Sequence, residues 1–462
     1  MLRVFNQPIP GSLLVLLMSE SMLILATFHL AAIKVTTLPV LLGSPRAGIV
    51  PVMLALICQV CLYYCDLYDL KAVRSVKASS VHLLQALGAW SVLIGGVCAL
   101  FAPSSIDPRL YIEAVFILFA VLICWRTGFF WLCKRRRLRH PTLILGTGEL
   151  AKKLAAEILS RPEVGVRIVG FVSDDRSLVG KSLVNPTVLG HTSDLSRIVM
   201  RERVSEVLVA MPESRGSMPI AELLDLKIKG VSVVEATTRY EEITGKIALE
   251  NLRPSWLVFS LGFKKSRLTQ LYLLIMSMLL ASIGLIVCFP LMVVVAILIK
   301  LDSRGPVFFK QERVGKDGKT FHLLKFRSMF LDAEQKTGPV WAKENDARAT
   351  RVGRIIRQLH LDEIPQFINV LRGDMSFVGP RPERPEFVKE LREKIPYYNQ
   401  RHAIKPGITG WAQVRHQYGA SIDDAIEKLQ YDLFYIKNLS VLLDLYIIFQ
   451  TLKIVILRRG AH

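Results

Sequence analysis

The chain has 462 residues, which is long for one ordinary domain and predicts about three. Hydrophobic residues make up 51% of it and the formal net charge is +20, a combination that favours a membrane protein with anionic partners. Nucleic acid is not an expected partner, because the sequence shows no basic and aromatic recognition module.

Four apolar segments open the chain, at about 12–33, 48–66, 81–101 and 110–133. Each is close to the ~20 residues that cross a bilayer as a helix. The densest positive run, Lys134 to Arg137, follows the fourth segment. Since cytoplasmic flanks carry the excess of Lys and Arg, residues 1–139 are predicted to form a four-helix transmembrane bundle with both ends in the cytoplasm.

Residues 140–250 have the pattern of a soluble α/β domain. A strand at Thr142–Leu145 runs into Gly146-Thr-Gly148 and a helix, and further apolar runs are separated by helical stretches. This order predicts a Rossmann-like domain, in which a glycine turn can cradle a phosphate. A structural or regulatory role and real nucleotide (or CoA) binding both remain open for this domain.

Residues 251–300 form the predicted linker and a membrane hairpin. Leu268–Ile299 contains no charged side chain, and Lys264 and Lys300 flank it, so both ends are expected on the cytoplasmic side. Pro290 lies inside the run and predicts a helix break, hence a re-entrant helix hairpin. A kinked helix that crosses the whole bilayer is the alternative.

Residues 301–462 carry the acids and cations expected of a catalytic domain. Asp362 and Glu363 are adjacent, just before a helix predicted from Pro365 to Leu371. Six arginines surround them in sequence: Arg351, Arg354, Arg357, Arg372, Arg381 and Arg384. Arginines bind phosphate and lower the pKa of nearby acids, so one acid is expected to stay ionised as a nucleophile while the other holds Mg²⁺. An ordinary surface salt-bridge cluster is the simpler interpretation.

Further elements are predicted around this pair of acids. Phe321–Met329 has the pattern of a strand, and Lys405–Val414 that of a glycine-rich loop followed by a short strand. Ser421 and Asp424 resemble a capping box that opens a helix to about Lys437. The last apolar run, Leu439–Leu457, predicts an interfacial amphipathic helix, with a core helix as the alternative.

The region from about Lys264 to the C-terminus resembles the bacterial sugar transferase family, specifically the large monotopic polyprenyl-phosphate glycosyl-1-phosphate transferases. Five ordered motifs carry the resemblance: Gly305–Gly315, Lys325–Met329, Leu361–Gln366, Leu371–Pro382 and Lys405–Val414. The segment Tyr418–Ser421 and the pair Gly460-Ala461 are similar to the exopolysaccharide type of these enzymes. Members often have Ser before the helix-breaking proline, whereas Phe289 precedes Pro290 here.

The resemblance implies a two-step exchange. Asp362 would attack a UDP-sugar and release UMP, and undecaprenyl phosphate would then take the sugar phosphate from the aspartate. Glu363 would bind Mg²⁺, and Pro380-Arg381-Pro382 would contact the uridine diphosphate. The remaining implied contacts are with phosphates of the donor or lipid, from Lys325, Arg327, Arg357 and Arg401.

The resemblance also implies a place in the cell and a set of partners. These are a UDP-sugar, undecaprenyl phosphate and anionic lipid, with the catalytic domain at the cytoplasmic face of the bacterial inner membrane. The sequence leaves a homodimer open. A membrane-tethered nucleotide-sugar dehydratase or epimerase is a rival hypothesis, but no Tyr has the Lys four residues later that this chemistry needs. A non-catalytic polysaccharide assembly scaffold is the second rival.

Overall fold

The computed structural model describes residues 3–4, 7–8, 11–34, 49–68, 76–101, 108–135, 140–161, 164–211, 218–249, 262–263, 266–330, 348–416, 419 and 421–457. It divides into two compact units, Met1–Ala236 and Thr237–His462. The division falls before the predicted boundary at residue 250, because residues that follow Ala236 bond to the second unit. Glu241 pairs with Lys437 at 2.7 Å, and the Gly245 carbonyl accepts a 2.9 Å hydrogen bond from the Trp411 indole.

The first unit begins with a short antiparallel ribbon, β1 (Arg3–Val4) and β2 (Gln7–Pro8), and four helices at the predicted apolar segments. The helices are α1 (Gly11–Lys34), α2 (Ile49–Tyr64), α3 (Val76–Phe101) and α4 (Pro108–Arg135). Side chains from all four share one apolar core. That these helices cross a membrane stays a prediction, since Arg267–Asp302 alone among the described helices is long and apolar enough to do so.

A buried ion pair lies inside this helical bundle. Arg126 Nε is 2.7 Å from a carboxylate oxygen of Glu20, and Arg126 also donates to the Leu67 carbonyl at 2.8 Å. Both side chains are shielded from solvent, so each charge is compensated by the other. The pair joins α1 to α4, and sequence analysis missed it because each residue is isolated in its own apolar run.

The predicted Rossmann-like domain is confirmed as a five-stranded parallel sheet in the order β5-β4-β3-β6-β7. Its elements are β3 (His140–Leu145), α5 (Glu149–Ser160), β4 (Val166–Ser173), β5 (Val188–His191), α6 (Leu195–Arg201), β6 (Glu206–Val209), α7 (Ile220–Ile228) and β7 (Ser232–Glu235). Strand order reverses between β3 and β6, where ligands of such sheets commonly bind. Gly146 lies there with a φ of +118°, and an added Cβ would meet the Ala210 backbone at 2.9 Å. Ligand binding by this sheet stays a prediction.

The second unit is mixed α and β. It contains α8 (Ala236–Thr244), α9 (Arg267–Asp302), the hairpin β8 (Phe308–Val314) and β9 (Thr320–Phe326), α10 (Arg351–Gln358), α11 (Gln366–Arg372), β10 (Ser376–Val378), α12 (Pro385–Lys394), β11 (Gly407–Thr409), α13 (Trp411–Arg415), α14 (Ile422–Asn438) and α15 (Val441–Ile456). The capping box of Ser421 and Asp424 is confirmed at the start of α14. The strand predicted within Lys405–Val414 lies at Gly407–Thr409, before rather than after the glycine turn, and a short helix takes its place.

The predicted helix break at Pro290 is wrong. Helix α9 continues through Pro290 for 36 residues. Its buried positions, Leu273, Ser277, Ala281, Met292, Val295 and Ile299, follow helical spacing along one face. This face is packed on both sides of the proline and Pro290 itself lies on the exposed face, so the helix continues although Pro290 lacks an N–H donor and its ring crowds the preceding turn. Re-entry into one leaflet stays a prediction about the membrane.

Helix α15 turns its apolar stripe outward. Leu442 is 68% exposed and Leu445 48%, whereas Leu443, Asp444 and Ile447 are buried against the unit. A core helix would have the opposite arrangement. The geometry therefore favours the interfacial helix over the core helix, although contact with lipid stays a prediction.

Candidate active site

The hairpin of β8 and β9 places Lys325 at the site. Its tight turn has positive φ at both Asp317 (56°) and Gly318 (76°). Buried Asn369 fixes the strand, since its side chain accepts from the Leu324 N–H at 2.9 Å and donates to the His322 carbonyl at 2.8 Å. Lys325 follows directly and points its ammonium at Glu363, 2.7 Å away.

The two acids lie in a single 3₁₀ turn between α10 and α11. Thr350 caps α10 by accepting from the Gly353 N–H at 2.9 Å. Gly353 lies against the Ser328 carbonyl, where an added Cβ would be only 1.9 Å from the oxygen, so this close approach requires glycine. His360, at a φ of 54°, then turns the chain into Leu361–Glu363. The acids thus precede a helix, as predicted, with Pro365 at its cap.

The two carboxylates have unequal surroundings. Both oxygens of Glu363 are bound: Arg381 Nη2 contacts Oε1 at 2.5 Å, Arg381 Nη1 contacts Oε2 at 3.3 Å, and Lys325 also contacts Oε1. Asp362 is 8% exposed, and an oxygen of its carboxylate lies 3.9 Å from Lys325. Glu363 is therefore held by two cations, while Asp362 has one distant cation.

This asymmetry separates the two pKa values. Burial raises the pKa of Asp362, Lys325 opposes that rise, and the charge of Glu363 adds to it. Burial also opposes ionisation of Glu363, but Arg381 and Lys325 outweigh it and hold the pKa of that carboxyl well below its ordinary value. The expected lowering by cations therefore prevails at Glu363, whereas at Asp362 burial and the charge of Glu363 outweigh it and the net direction is upward.

Arg381 comes from a backbone segment held on three sides. The carbonyls of Pro380, Arg381 and Pro382 accept from the Gly407 N–H at 2.9 Å, Arg401 Nη2 at 3.0 Å and Arg313 Nη1 at 2.9 Å, respectively. A small, partly open recess adjoins the segment. Its wall includes Val314, Pro380, Arg381, Pro382, Arg401 and Ile404. The arrangement offers a guanidinium beside apolar surface.

Comparison with known proteins identifies the family. The model of the bacterial sugar transferase family matches residues 269–458, and that of a CoA-binding domain matches residues 64–226. The undecaprenyl-phosphate glucose phosphotransferase of Komagataeibacter xylinus is 32% identical over 86% of this chain and 75% of its own length.

The chain belongs to the bacterial sugar transferase family.

Two further relatives support this placement. The UDP-glucose:undecaprenyl-phosphate glucose-1-phosphate transferase of Escherichia coli K12 is 32% identical over 71% of this chain and 70% of its own length. The UDP-N-acetylgalactosamine-undecaprenyl-phosphate N-acetylgalactosaminephosphotransferase of Aeromonas hydrophila is 45% identical over 48% of this chain, which spans about half (52%) of that enzyme. The resemblance inferred from the five motifs is confirmed, and the family is that of the polyprenyl-phosphate hexose phosphotransferases. It favours a transferase over the dehydratase and scaffold hypotheses.

The structure gathers only some of the predicted site residues of this transferase around the acids. Lys325 and Arg381 contact Glu363. Arg357 is half-buried on α10, about one turn before the acids, and makes no ion pair with a described residue. Pro380 and Pro382 are buried and line the recess beside Arg381.

Arg327 has a different place from the one that the resemblance implied. It is 4% exposed, and its guanidinium donates to the carbonyls of Ser303 at 2.7 Å and Arg304 at 2.9 Å. Those carbonyls follow the C-terminus of α9, where a cation also meets the negative end of the helix dipole. Arg327 therefore caps the apolar helix, and sequence analysis missed this role because the strand and the helix end are more than twenty residues apart.

The acidic pair fits Mg²⁺ only together with a phosphate ligand. No cluster of three or more His, Cys, Asp or Glu side chains that could hold a metal occurs among the described residues. Mg²⁺ commonly takes one or two carboxylates and fills its shell with water and substrate phosphate, so Asp362 and Glu363 supply a suitable oxygen set. Because Lys325 and Arg381 already occupy Glu363, a phosphate that draws these cations away would favour metal binding.

Proposed function

We propose that this chain transfers a sugar 1-phosphate from a UDP-sugar to undecaprenyl phosphate and releases UMP, thereby initiating exopolysaccharide or related glycoconjugate synthesis. Three relatives are named for such phosphotransferase reactions, two with glucose and one with N-acetylgalactosamine. The observation that carries the residue assignment is the unequal acidic pair: Glu363 is occupied by Lys325 and Arg381, while Asp362 is not.

Asp362 is the proposed nucleophile. A carboxylate with a raised pKa is more basic, and hence more nucleophilic when ionised, than one with a lowered pKa. The cations that flank Glu363 provide positive charge for the phosphate oxygens of the donor, which makes the phosphorus more electrophilic. As Lys325 moves toward phosphate, Asp362 would lose part of the positive charge beside it, which leaves its carboxylate more basic.

The exchange balances without a net proton transfer. An oxygen of Asp362 forms a bond to the β-phosphorus, and the bond from that phosphorus to the bridging oxygen breaks, so that UMP departs with the oxygen. An oxygen of undecaprenyl phosphate then bonds to the same phosphorus, and the bond to Asp362 breaks. Undecaprenyl diphosphate sugar forms and the Asp362 carboxylate is regenerated.

Glu363, with Asp362 beside it, would hold Mg²⁺. When bound, Mg²⁺ neutralises charge on phosphate oxygens. Arg381 would contact the diphosphate, and the uridine moiety would approach the recess beside it, which Pro380 and Pro382 line. Arg357, half-buried near the acids, is the remaining candidate for a phosphate contact.

The site is proposed to lie at the cytoplasmic face of the bacterial inner membrane. A C55 lipid stays in the bilayer, and α9 and α15 both expose apolar side chains from the second unit. A helix of 36 residues is ~54 Å long, more than the ~30 Å hydrocarbon core, and one of its faces is covered by the catalytic fold nearly from end to end. This supports a monotopic placement, with anionic lipid attracted by the basic chain.

Asp362→Asn tests the proposal. Purified full-length protein is incubated with radiolabelled UDP-glucose or UDP-N-acetylgalactosamine without lipid acceptor, and the label on the protein is measured. The wild type should retain label and release UMP, and the variant, which lacks an anionic nucleophile, should do neither. Label on the variant at the wild-type level would remove Asp362 from the reaction. No label and no UMP from the wild type, across a screen of UDP-sugars, would overturn the covalent mechanism.

A further inference from the structure

A buried charged cluster lies directly behind Arg381. It consists of Arg401, Asp432 and Tyr398, whose relative exposures are 6%, 1% and 2%. Arg401 Nη2 lies 2.9 Å from a carboxylate oxygen of Asp432, and Arg401 Nη1 donates to the Tyr398 hydroxyl at 2.6 Å. A guanidinium is always charged, so the adjacent carboxylate compensates a cation that water does not reach.

The cluster reaches the active site through the backbone. Arg401 Nη2 also donates to the carbonyl of Arg381 at 3.0 Å. The residues on either side of Arg381 are prolines, which have no N–H, so this segment can be anchored mainly through its carbonyls. Gly407 and Arg313 hold the two neighbouring carbonyls, while Arg401, which holds the carbonyl of Arg381 itself, is backed by the buried acid Asp432.

The side chain of Arg381 depends on this anchor for its direction. Its guanidinium meets both oxygens of Glu363, at 2.5 and 3.3 Å, a two-point contact that tolerates little displacement of the backbone. A shift of about 1 Å at such a site is enough to lose much of the benefit of preorganisation. Arg401 differs from Arg381 in that both of its terminal nitrogens contact buried groups behind the site: Nη1 contacts the Tyr398 hydroxyl, and Nη2 contacts Asp432 and the Arg381 carbonyl.

We propose that Arg401, Asp432 and Tyr398 form a positioning unit that fixes the backbone carbonyl of Arg381 and so aims the Arg381 guanidinium at Glu363 and at the diphosphate of the donor. Arg401 then acts through Arg381, in place of the direct phosphate contact that the resemblance implied. This inference rests on the proposed function and adds to it the means by which one of its cations is held.

The decisive experiment is a double-mutant cycle on the full chain in detergent. UMP release from UDP-glucose and from UDP-N-acetylgalactosamine, with undecaprenyl phosphate as acceptor, is measured for wild type, Asp432→Asn, Arg381→Lys and the double variant. Asp432→Asn should lower kcat/KM by about tenfold or more, as loss of the support behind a site ligand commonly does. The KM for the acceptor should not change. In the Arg381→Lys background, the same substitution should cost much less than it does alone.

Glu241→Gln is the matched control. Glu241 is a buried acid of the same unit, and its hydrogen-bond partners, Lys437 at 2.7 Å and Asn438 at 3.2 Å, lie on α14. Both Glu241→Gln and Asp432→Asn should lower the melting temperature, but only Asp432→Asn should lower kcat/KM. Tyr398→Phe removes the hydroxyl that accepts a hydrogen bond from Arg401 and leaves both charges of the cluster in place. It should therefore lower kcat/KM less than Asp432→Asn does, and this loss should also be absent in the Arg381→Lys background.

Two results would overturn the proposal. One is that the costs of Asp432→Asn and Arg381→Lys multiply, which would show that the two residues act independently. The other is that Asp432→Asn lowers kcat/KM no more than Glu241→Gln does. If Asp432→Asn does not fold, the cycle with Tyr398→Phe decides by the same criteria. Failure of the proposed function can be distinguished from failure of this inference, since the wild type itself would then release no UMP. In that case the affinity for UDP, measured by calorimetry, would replace kcat/KM in the cycle.

Discussion

At the level of single residues, the adjacent acids show how neighbours with the same functional group acquire different roles. Sequence predicted that both lie among cations, and this holds for Glu363, which contacts Lys325 and Arg381. Which acid receives those cations depends on how a 3₁₀ turn is oriented against β9 and the segment 380–382. That orientation arises from contacts distant in sequence, so no local pattern could have assigned the two roles.

Glu363→Gln should weaken the dependence of UMP release on Mg²⁺ as well as slow it. The amide keeps the shape of the side chain but loses the charge that attracts a divalent cation and pairs with Lys325 and Arg381. The measurement is the initial rate of UMP release across a Mg²⁺ titration. A variant with the metal dependence and rate of the wild type would contradict the ligand role, and Glu241→Gln provides the control for loss of a buried acid.

Asp444 is another buried acid, and its protonation should make the free energy of unfolding depend on pH. It accepts from the Tyr435 hydroxyl at 2.7 Å, and burial raises its pKa to about 7 despite that hydrogen bond. The folded state therefore binds this proton more tightly than the unfolded state does. Its contribution to the free energy of unfolding is largest below the ordinary aspartate pKa and falls by roughly 1.4 kcal/mol per pH unit between about pH 4 and pH 7.

Asp444→Asn should remove that component of the pH dependence. The amide oxygen can still accept from Tyr435, and no charge has to be buried at high pH. The variant should gain stability relative to the wild type as pH rises from 5 to 8, with the difference constant above pH 8. Thermal unfolding in detergent at successive pH values measures this, and parallel curves for the two proteins would disprove it.

At the level of elements, the sequence pattern predicted which helices form and where they end. It predicted less well whether a helix is interrupted. Helices α14 and α15 were expected close to their observed limits, because a capping box and an apolar run mark them. The break expected at Pro290 is absent, since a proline removes one hydrogen bond while the packed face of α9 stabilises both sides. A sequence shows the proline but not the surface against which the helix packs.

Helix α15 should contact lipid through its outward stripe. Leu445 is 48% exposed on α15, and Ile422, 37% exposed at the start of α14, offers a comparable side chain on another helix. A fluorophore attached at Leu445→Cys in proteoliposomes should be quenched by brominated acyl chains, because an exposed apolar stripe gains free energy on leaving water. The same label at Ile422→Cys should be quenched much less. Equal, weak quenching at both positions would reject the interfacial role.

At the level of the whole molecule, the structure groups the stretch after Ala236 with the second unit, ahead of the predicted boundary at residue 250. The first apolar segments, the Rossmann-like pattern and the transferase motifs each have a local signature, and they occur in the expected order. Helix α8 has no local sequence signature that links it to the second unit, because it follows β7 of the sheet without a gap. Its assignment depends on partners distant in sequence: Lys437 lies 196 residues after Glu241, and Trp411 lies 166 residues after Gly245, which directly follows the helix.

A pair of truncations tests that assignment. Protein comprising residues 237–462 retains the Glu241–Lys437 ion pair, the Gly245–Trp411 hydrogen bond and the Ile247 N–H bond to the Gln430 carbonyl, whereas residues 251–462 lack all three. Each buried polar group left without a partner costs roughly 1–3 kcal/mol, so the shorter protein should unfold at a markedly lower temperature in detergent. The longer one should also keep UMP release, because every residue assigned to the reaction lies within it. Equal melting temperatures would show that α8 adds no stability to the second unit. The boundary predicted from sequence, at residue 250, would then be the correct one.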